Sequence, residues 1–259
     1  MRASWLSASS YRVRMLFSLA GFGLSLLPLF FISNALQPVV ASSIAGESAE
    51  YFGFLVIGFG VLAVVAAAMS ALPATISGNI SSGTFEVLLS TPLTITGLVV
   101  GLSSYALLWS FLRACLIIAG AVLIGMNLVW QGIPAALLIL ALLATSYFTV
   151  ALVAAALVLA FRTSGPLITG VITLSSLLGG VYYSTSVIPS WIQNISAFVP
   201  LTYGLRAIRR VLLTGASLAD VWGDVMILSL LASVLLAVGS VAFYAALRHS
   251  RRCGTLAQY

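Results

Sequence analysis

Six apolar runs separated by short polar breaks organise this chain, and their lengths predict an all-α polytopic membrane protein with six transmembrane helices. The runs cover about Phe17 to Val40, Tyr51 to Leu72, Gly97 to Met126, Pro134 to Phe161, Pro166 to Tyr183 and Val225 to Leu247. Two of the breaks carry a pattern of their own. From Ser82 to Pro92 the chain reads SGTFEVLLSTP; a helix begun at Thr84 places Phe85, Leu88 and Leu89 on one arc and Glu86 and Ser90 on the other, with Pro92 as its stop. Such a helix is too short to cross a bilayer, so it lies along the surface or docks on a partner. Between the fifth and sixth runs, Ile188, Trp191, Ile192, Ile195, Phe198 and Val199 share an arc of about 120° that excludes Gln193 and Asn194. After Pro200 a second short helix starts near Thr202. It sets Leu205, Ile208, Val211 and Leu212 on one face and Arg206, Arg209 and Arg210 on the opposite one, and stops at Gly215. Helices that dip into the outer leaflet and helices that lie flat on it satisfy this periodicity equally; in both, the arginines are expected to meet lipid phosphates.

Composition agrees with the class. Hydrophobic residues make up 61% of the 259 residues and charged ones 6%, against roughly 25% charged in soluble domains, and the mean hydropathy is +1.18. All eleven basic residues are arginines, which excludes a P-loop, whose lysine reaches the nucleotide phosphates. The net charge of +6 comes from arginines beside the apolar runs, so lipid headgroups, not nucleic acid, are the expected partners. Cys115 lies in a run and Cys253 in the tail, which supports no disulfide framework. No small-residue cleavage pattern follows the first run, so no cleavable signal is expected.

The chain reads as a single domain, 1–259, with an N-terminal interfacial segment over 1–16 and a cytoplasmic tail over 248–259. Six crossings put both termini on one side. Arg2, Arg12, Arg14, Arg162, Arg248, Arg251 and Arg252 share that side, which the positive-inside rule makes cytoplasmic. The Ser82 to Pro92 break is then cytoplasmic, and Glu47, Glu50 and the connection over 187–215 lie outside. The second run is rich in Gly and Ala and the third opens with Gly97 and Gly101, both suited to close helix packing. Arg113, inside the third run, either sits at mid-bilayer, a costly placement, or lies near the outer end and snorkels. The fifth run is the most polar, with Thr169, Thr173, Ser175 and Ser176; these line a path or bond between helices. Catalysis has little support. Ser103 and Ser104 lie in a span, but the one histidine, His249, sits in the tail, and no paired histidines or carboxylates suggest a metal.

Two stretches resemble the membrane subunit, or permease, of type-2 ABC exporters, which move drugs, lipids and lipid-linked glycans. GTFEVLLSTP over Gly83 to Pro92 is similar to the family's coupling helix. GGVYYSTSVIPSWIQNISAFVPLTYGLRAIRRVLLTG over Gly179 to Gly215 is similar to its signature around outer re-entrant helices. The resemblance implies a permease that pairs with a second copy or a paralogue and binds two ABC ATPase subunits, which hold ATP and Mg; no cofactor is expected in this chain. It implies ATPase coupling through Gly83, Thr84, Phe85, Glu86, Leu88, Leu89 and Pro92. It further implies an outer gate of Pro189, Trp191, Ile195, Phe198, Pro200, Tyr203 and Arg206, and a substrate path lined by Thr169, Thr173, Ser175 and Ser176. Many members carry charges just before the Gly-Thr pair; here the run is Ser77, Gly78, Asn79, Ile80, Ser81 and Ser82. An ATP-independent channel or scaffold in the cell membrane is the alternative reading.

Overall fold

The computed structural model describes residues 12–83, 95–161 and 165–252. In chain order its helices are α1 (Arg12–Ile44), α2 (Tyr51–Ser81), α3 (Ile95–Ile124), α4 (Ile133–Phe161), α5 (Gly165–Leu178), α6 (Ser190–Ser196), α7 (Pro200–Arg209) and α8 (Trp222–Arg252), with α7 continuing into a π turn over Arg210–Thr214. Among the described residues, α1, α2, α3, α4 and α8 are long and apolar enough to cross a membrane. The chain is a multi-pass, all-helical membrane protein.

The bundle is built around α2, which packs against α1, α3, α4 and α7. Its Phe54, Val56, Ile57, Val65, Met69 and Leu72 are all buried, as expected of a helix apolar on every side. Toward one end, Ile57, Val61 and Met69 meet Ile139 and Leu143 of α4, Leu201 and Leu205 of α7, and Leu228 of α8. Toward the other, Leu72 and Ile76 meet Ala151 and Ala155 of α4 and Phe243 of α8. The α4–α8 contact depends on a missing side chain: a Cβ on Gly239 would lie 2.6 Å from Thr149 Cγ2, and small residues let membrane helices approach this closely. The outward faces of α1, α3 and α8 present Phe31, Val39, Leu123, Leu230 and Val241, all exposed, a surface suited to lipid tails.

Two elements differ from their apolar runs. The second run fades after Leu72, yet α2 continues through Pro73 to Ser81. Its polar residues bond to the helix's own carbonyls, Thr75 Oγ1 to Ala71 O at 2.7 Å and Asn79 Nδ2 to Thr75 O at 2.8 Å, so hydropathy falls while the helix persists. At 31 residues α2 is about 46 Å long, more than a hydrocarbon core of about 30 Å requires. The fifth run, read to Tyr183, stops as a helix at Leu178. Gly180 takes the left-handed φ of 76°, which glycine adopts without a Cβ penalty, and turns the chain. The resulting α5 has 14 residues, about 21 Å, shorter than that hydrocarbon core.

Three connections meet at one end of the bundle. Glu50 accepts from Asn127 Nδ2, joining the α1–α2 link to the α3–α4 link. Tyr51 Oη donates to Tyr182 O at 2.8 Å, and Val129 N donates to Leu212 O at 2.9 Å. This end therefore gathers Glu47, Glu50 and the whole segment from Gly179 to Val221. The C-terminus of α2 and the start of α3 lie at the other.

Candidate functional site

At the gathered end the feature that determines the rest is Arg209. It lies four residues after Leu205, so helical geometry gives the two one face, and α7 presses that face into the bundle; Arg209 is 1% exposed. Its Nη1 reaches Glu47 Oε2 at 3.1 Å and Gly180 O at 2.9 Å, its Nη2 reaches Val181 O at 3.1 Å, and its Nε reaches Phe54 O at 3.2 Å. The guanidinium carbon sits 3.3 Å from the centre of the Phe54 ring, a cation–π contact. The break after α5 supplies two of these acceptors, because carbonyls freed at a helix end need donors. Glu47 also accepts from Ser184 Oγ at 3.3 Å. Burial pulls the Arg209 guanidinium down to about 10, opposed by the Glu47 carboxylate, so it stays charged at neutral pH. One side chain thus ties α7 to the α1–α2 link, to α2 and to the turn after α5. This corrects the expectation that all three arginines face away from Leu205 toward lipid phosphates: Arg209 faces inward.

The other two follow the helical wheel more closely. Arg206 pairs with Asp224 in the first turn of α8, with Nε to Oδ2 at 3.0 Å, and its guanidinium lies over the Tyr203 ring. The hydrogen bond that Arg206 donates to Asp224 holds the Arg206 pKa above its ordinary value. Arg210 is half-buried and its Nη1 reaches Asp220 O at 3.4 Å. Gly215 ends the segment in the left-handed region at φ 74°.

The residues expected at an outer gate gather here, but not as one packed body. Pro189 and Pro200 start α6 and α7. Trp191, Ile195 and Phe198 form an exposed apolar ridge on and just after α6, at 66%, 49% and 79% exposure. Tyr203 Oη donates to Ala197 O at 3.0 Å and Thr202 Oγ1 to Ser196 O at 2.9 Å, bracing α7 against α6. The four hydroxyls of α5 divide by face: Ser175 and Ser176 are buried, and Thr169 and Thr173 are exposed. Ser176 Oγ donates to Thr173 O at 2.8 Å. They do not line a single surface within this chain.

Of the expected coupling residues, Gly83 closes α2 with a hydrogen bond from its N to Ile80 O at 3.1 Å. Thr84, Phe85, Glu86, Leu88, Leu89 and Pro92 lie outside the described residues. The described ends that flank them, the C-terminus of α2 and the start of α3, lie at the end opposite Arg209, and the two helices pack along each other. Among the described residues no three His, Cys, Asp or Glu side chains gather as metal ligands would. Reading the sequence missed the Glu47–Arg209 and Arg206–Asp224 pairs. The wheel position of Arg209 was the available signal for the first; no local pattern signals the second.

Comparison with known proteins adds one finding. The sequence profile of the family described as ABC-2 type transporter matches residues 2–213. No curated protein matches the chain.

Proposed function

The chain belongs to the ABC-2 type transporter family, and from that premise we propose that it is the membrane-spanning subunit of an ATP-driven exporter, carrying an amphipathic drug, lipid or lipid-linked glycan outward. Membership implies association with ABC ATPase subunits. In this reading there are two of them, a second permease copy or paralogue completes the pathway, and nucleotide chemistry stays with the ATPases. Both termini and the Gly83 to Pro92 coupling helix face the cytoplasm, α5 completes six crossings together with the turn that follows it, and Trp191, Phe198 and Tyr203 belong to the exit gate.

The observation that carries the reading is the reach of α2. One of its ends leads into the coupling segment at Gly83, and the other presents Phe54 O to Arg209 of α7. A single helix, with its buried residues running from Tyr51 to Ile76, connects the proposed ATPase contact to the proposed gate. A tilt imposed on the coupling segment is delivered to the outer helices because α2, α4 and α7 share a close-packed interior. In that segment the arc of Phe85, Leu88 and Leu89 docks in the ATPase and Glu86 pairs with a basic group there. Glu86→Ala and Leu88→Asp should each cut the ATPase recovered per permease by about tenfold, a loss of about 1.4 kcal/mol, with membrane insertion unchanged. Full recovery and full ATP-dependent transport by both variants would contradict this coupling assignment.

A further inference from the structure

Beside the Arg209 cluster, at the same end of the molecule, is a polar cavity of about 720 Å³, within the roughly 300–1,000 Å³ of small-molecule sites. The end of α1, the 184–186 turn, α6, α7 and the start of α8 all contribute to its wall. Glu47, Ser184, Ser196, Thr202 and Asp224 line it and are buried, while Gln193, Ser186 and Arg210 stand at exposed or half-exposed positions of the same wall. Trp130, Trp191 and Trp222 are exposed at this end, as aromatic side chains are at the headgroup level of a bilayer. The cavity therefore opens where lipid headgroups and outside water meet.

Its charges select the ligand. Three carboxylates line it: Asp224 pairs with Arg206 and Glu47 with Arg209 behind it, while the Asp220 carboxylate accepts from Ser217 N and Oγ, with Arg210 held beside it through the Asp220 carbonyl. An added anion meets the carboxylates and an added cation meets the guanidiniums, so neither gains a vacant countercharge. What the paired groups retain is hydrogen-bonding capacity, since a carboxylate has about four acceptor sites and a guanidinium five donors. The serine and threonine hydroxyls and the Gln193 amide of the wall bond protein groups, Ser184 to Glu47, Thr202 to Ser196 O and Gln193 to Ile188 O, and each hydroxyl and amide oxygen keeps acceptor capacity beyond the bond its group donates. A ligand dense in hydroxyl groups, each both donor and acceptor, matches that wall.

We propose that this cavity is a binding site for a neutral polyhydroxylated ligand, a sugar, supplied by a glycolipid headgroup or by free saccharide, and that its occupation ties α6 and α7 to α1 and α8. The site goes beyond the transport reading, because it does not depend on what the permease carries.

The test uses the full-length chain, with Cys115 and Cys253 replaced by Ser, in lipid nanodiscs. Ser186→Cys places a reactive thiol on the cavity wall, and Asn127→Cys places one at the same end outside it. The rate of labelling by a charged maleimide is followed with maltose, with a diglucosyl lipid in the disc, and with inorganic phosphate or spermidine. The expected result is slowing of at least about threefold at position 186 and none at 127, with Arg210→Ala weakening that protection about tenfold. Protection by maltose identifies free saccharide as the source, and protection by the diglucosyl lipid alone identifies a headgroup. Protection by phosphate or spermidine and not by either sugar would overturn the proposal. So would equal slowing at both positions, or no protection at all, which leaves water as the occupant.

Discussion

Arg209 shows how much one residue can determine in a helical membrane protein. Its four polar contacts and its stacking partner come from three separate places in the chain, and all are buried. Taking a charge out of water is costly, and a buried pair is worth keeping only when its remaining hydrogen bonds are met. Here the Gly180, Val181 and Phe54 carbonyls meet them. Arg209→Ala leaves Glu47 buried without its cation and should destabilise the protein by about 3–5 kcal/mol, read as a lower melting temperature in detergent. Glu47→Gln, which keeps an acceptor, should cost less, and Glu47→Gln combined with Arg209→Met should recover part of the loss. An unchanged melt for Arg209→Ala would show that the cluster does not hold the outer end together. Gly58 belongs to the same cluster: a Cβ there would sit 2.8 Å from Val181 O and 2.9 Å from Arg209 Nη2. Gly58→Ala should therefore cost about 1–3 kcal/mol by overpacking, checked by the same melt. The inward position of Arg209 was legible in its i+4 relation to Leu205. Its partner was not, because Glu47 lies 162 residues away and nothing local relates them.

At the scale of elements, apolar runs locate helices well and bound them poorly. The runs at 97–126 and 134–161 correspond closely to α3 and α4, since an apolar stretch of that length has few alternatives in lipid. The ends of α2 and α5 were misjudged in opposite directions for one reason. Hydropathy reports what surrounds a residue, whereas a helix ends where its backbone is capped or turned, and Thr75 and Asn79 extend α2 while Gly180 cuts α5 short. The short amphipathic helices were legible from their periodicity, which survives because α6 exposes Trp191 and Ile195 while α7 buries Leu205 and Ile208. The packing of α8 on α4 was not, because it depends on Gly239 fitting over Thr149. Gly239→Leu should separate that pair and lower the melting temperature by the equivalent of about 1–3 kcal/mol. Gly101→Ala, which would meet open space, should leave the isolated subunit's melt unchanged. If the two variants melt alike, the α4–α8 contact is not close-packed as described.

Across the whole molecule, the long helices join two chemically different ends. One gathers Glu47, Glu50, Asp220 and Asp224, four of the five acidic residues; the other takes the connection from α2 to α3 and the end of α8, where Arg248, Arg251 and Arg252 stand. The arginines of the second end are the basis for placing the first end outside; Arg206, Arg209 and Arg210 run against that rule, and each is held within the protein, by Asp224, Glu47 and the Asp220 carbonyl. Ser217→Cys should accordingly react with an impermeant thiol reagent in intact cells, and Ser81→Cys only after the membrane is opened. The reverse pattern would invert the topology. The multi-pass class and the family were legible, the first from the apolar runs and the second from motifs over Gly83 to Pro92 and Gly179 to Gly215, because both are properties of short stretches. The reach of α2 from Gly83 to the carbonyl that Arg209 holds was not, since it depends on a helix end and a contact that no short stretch displays.

If this chain works as the membrane half of an ATP-driven machine, purification from the native host in mild detergent, with every co-purifying protein identified by mass spectrometry, should recover a P-loop ATPase at about one copy per permease, lost when Leu88 is changed to Asp. Recovery of the permease alone, under conditions that keep a known ABC complex intact, would contradict it.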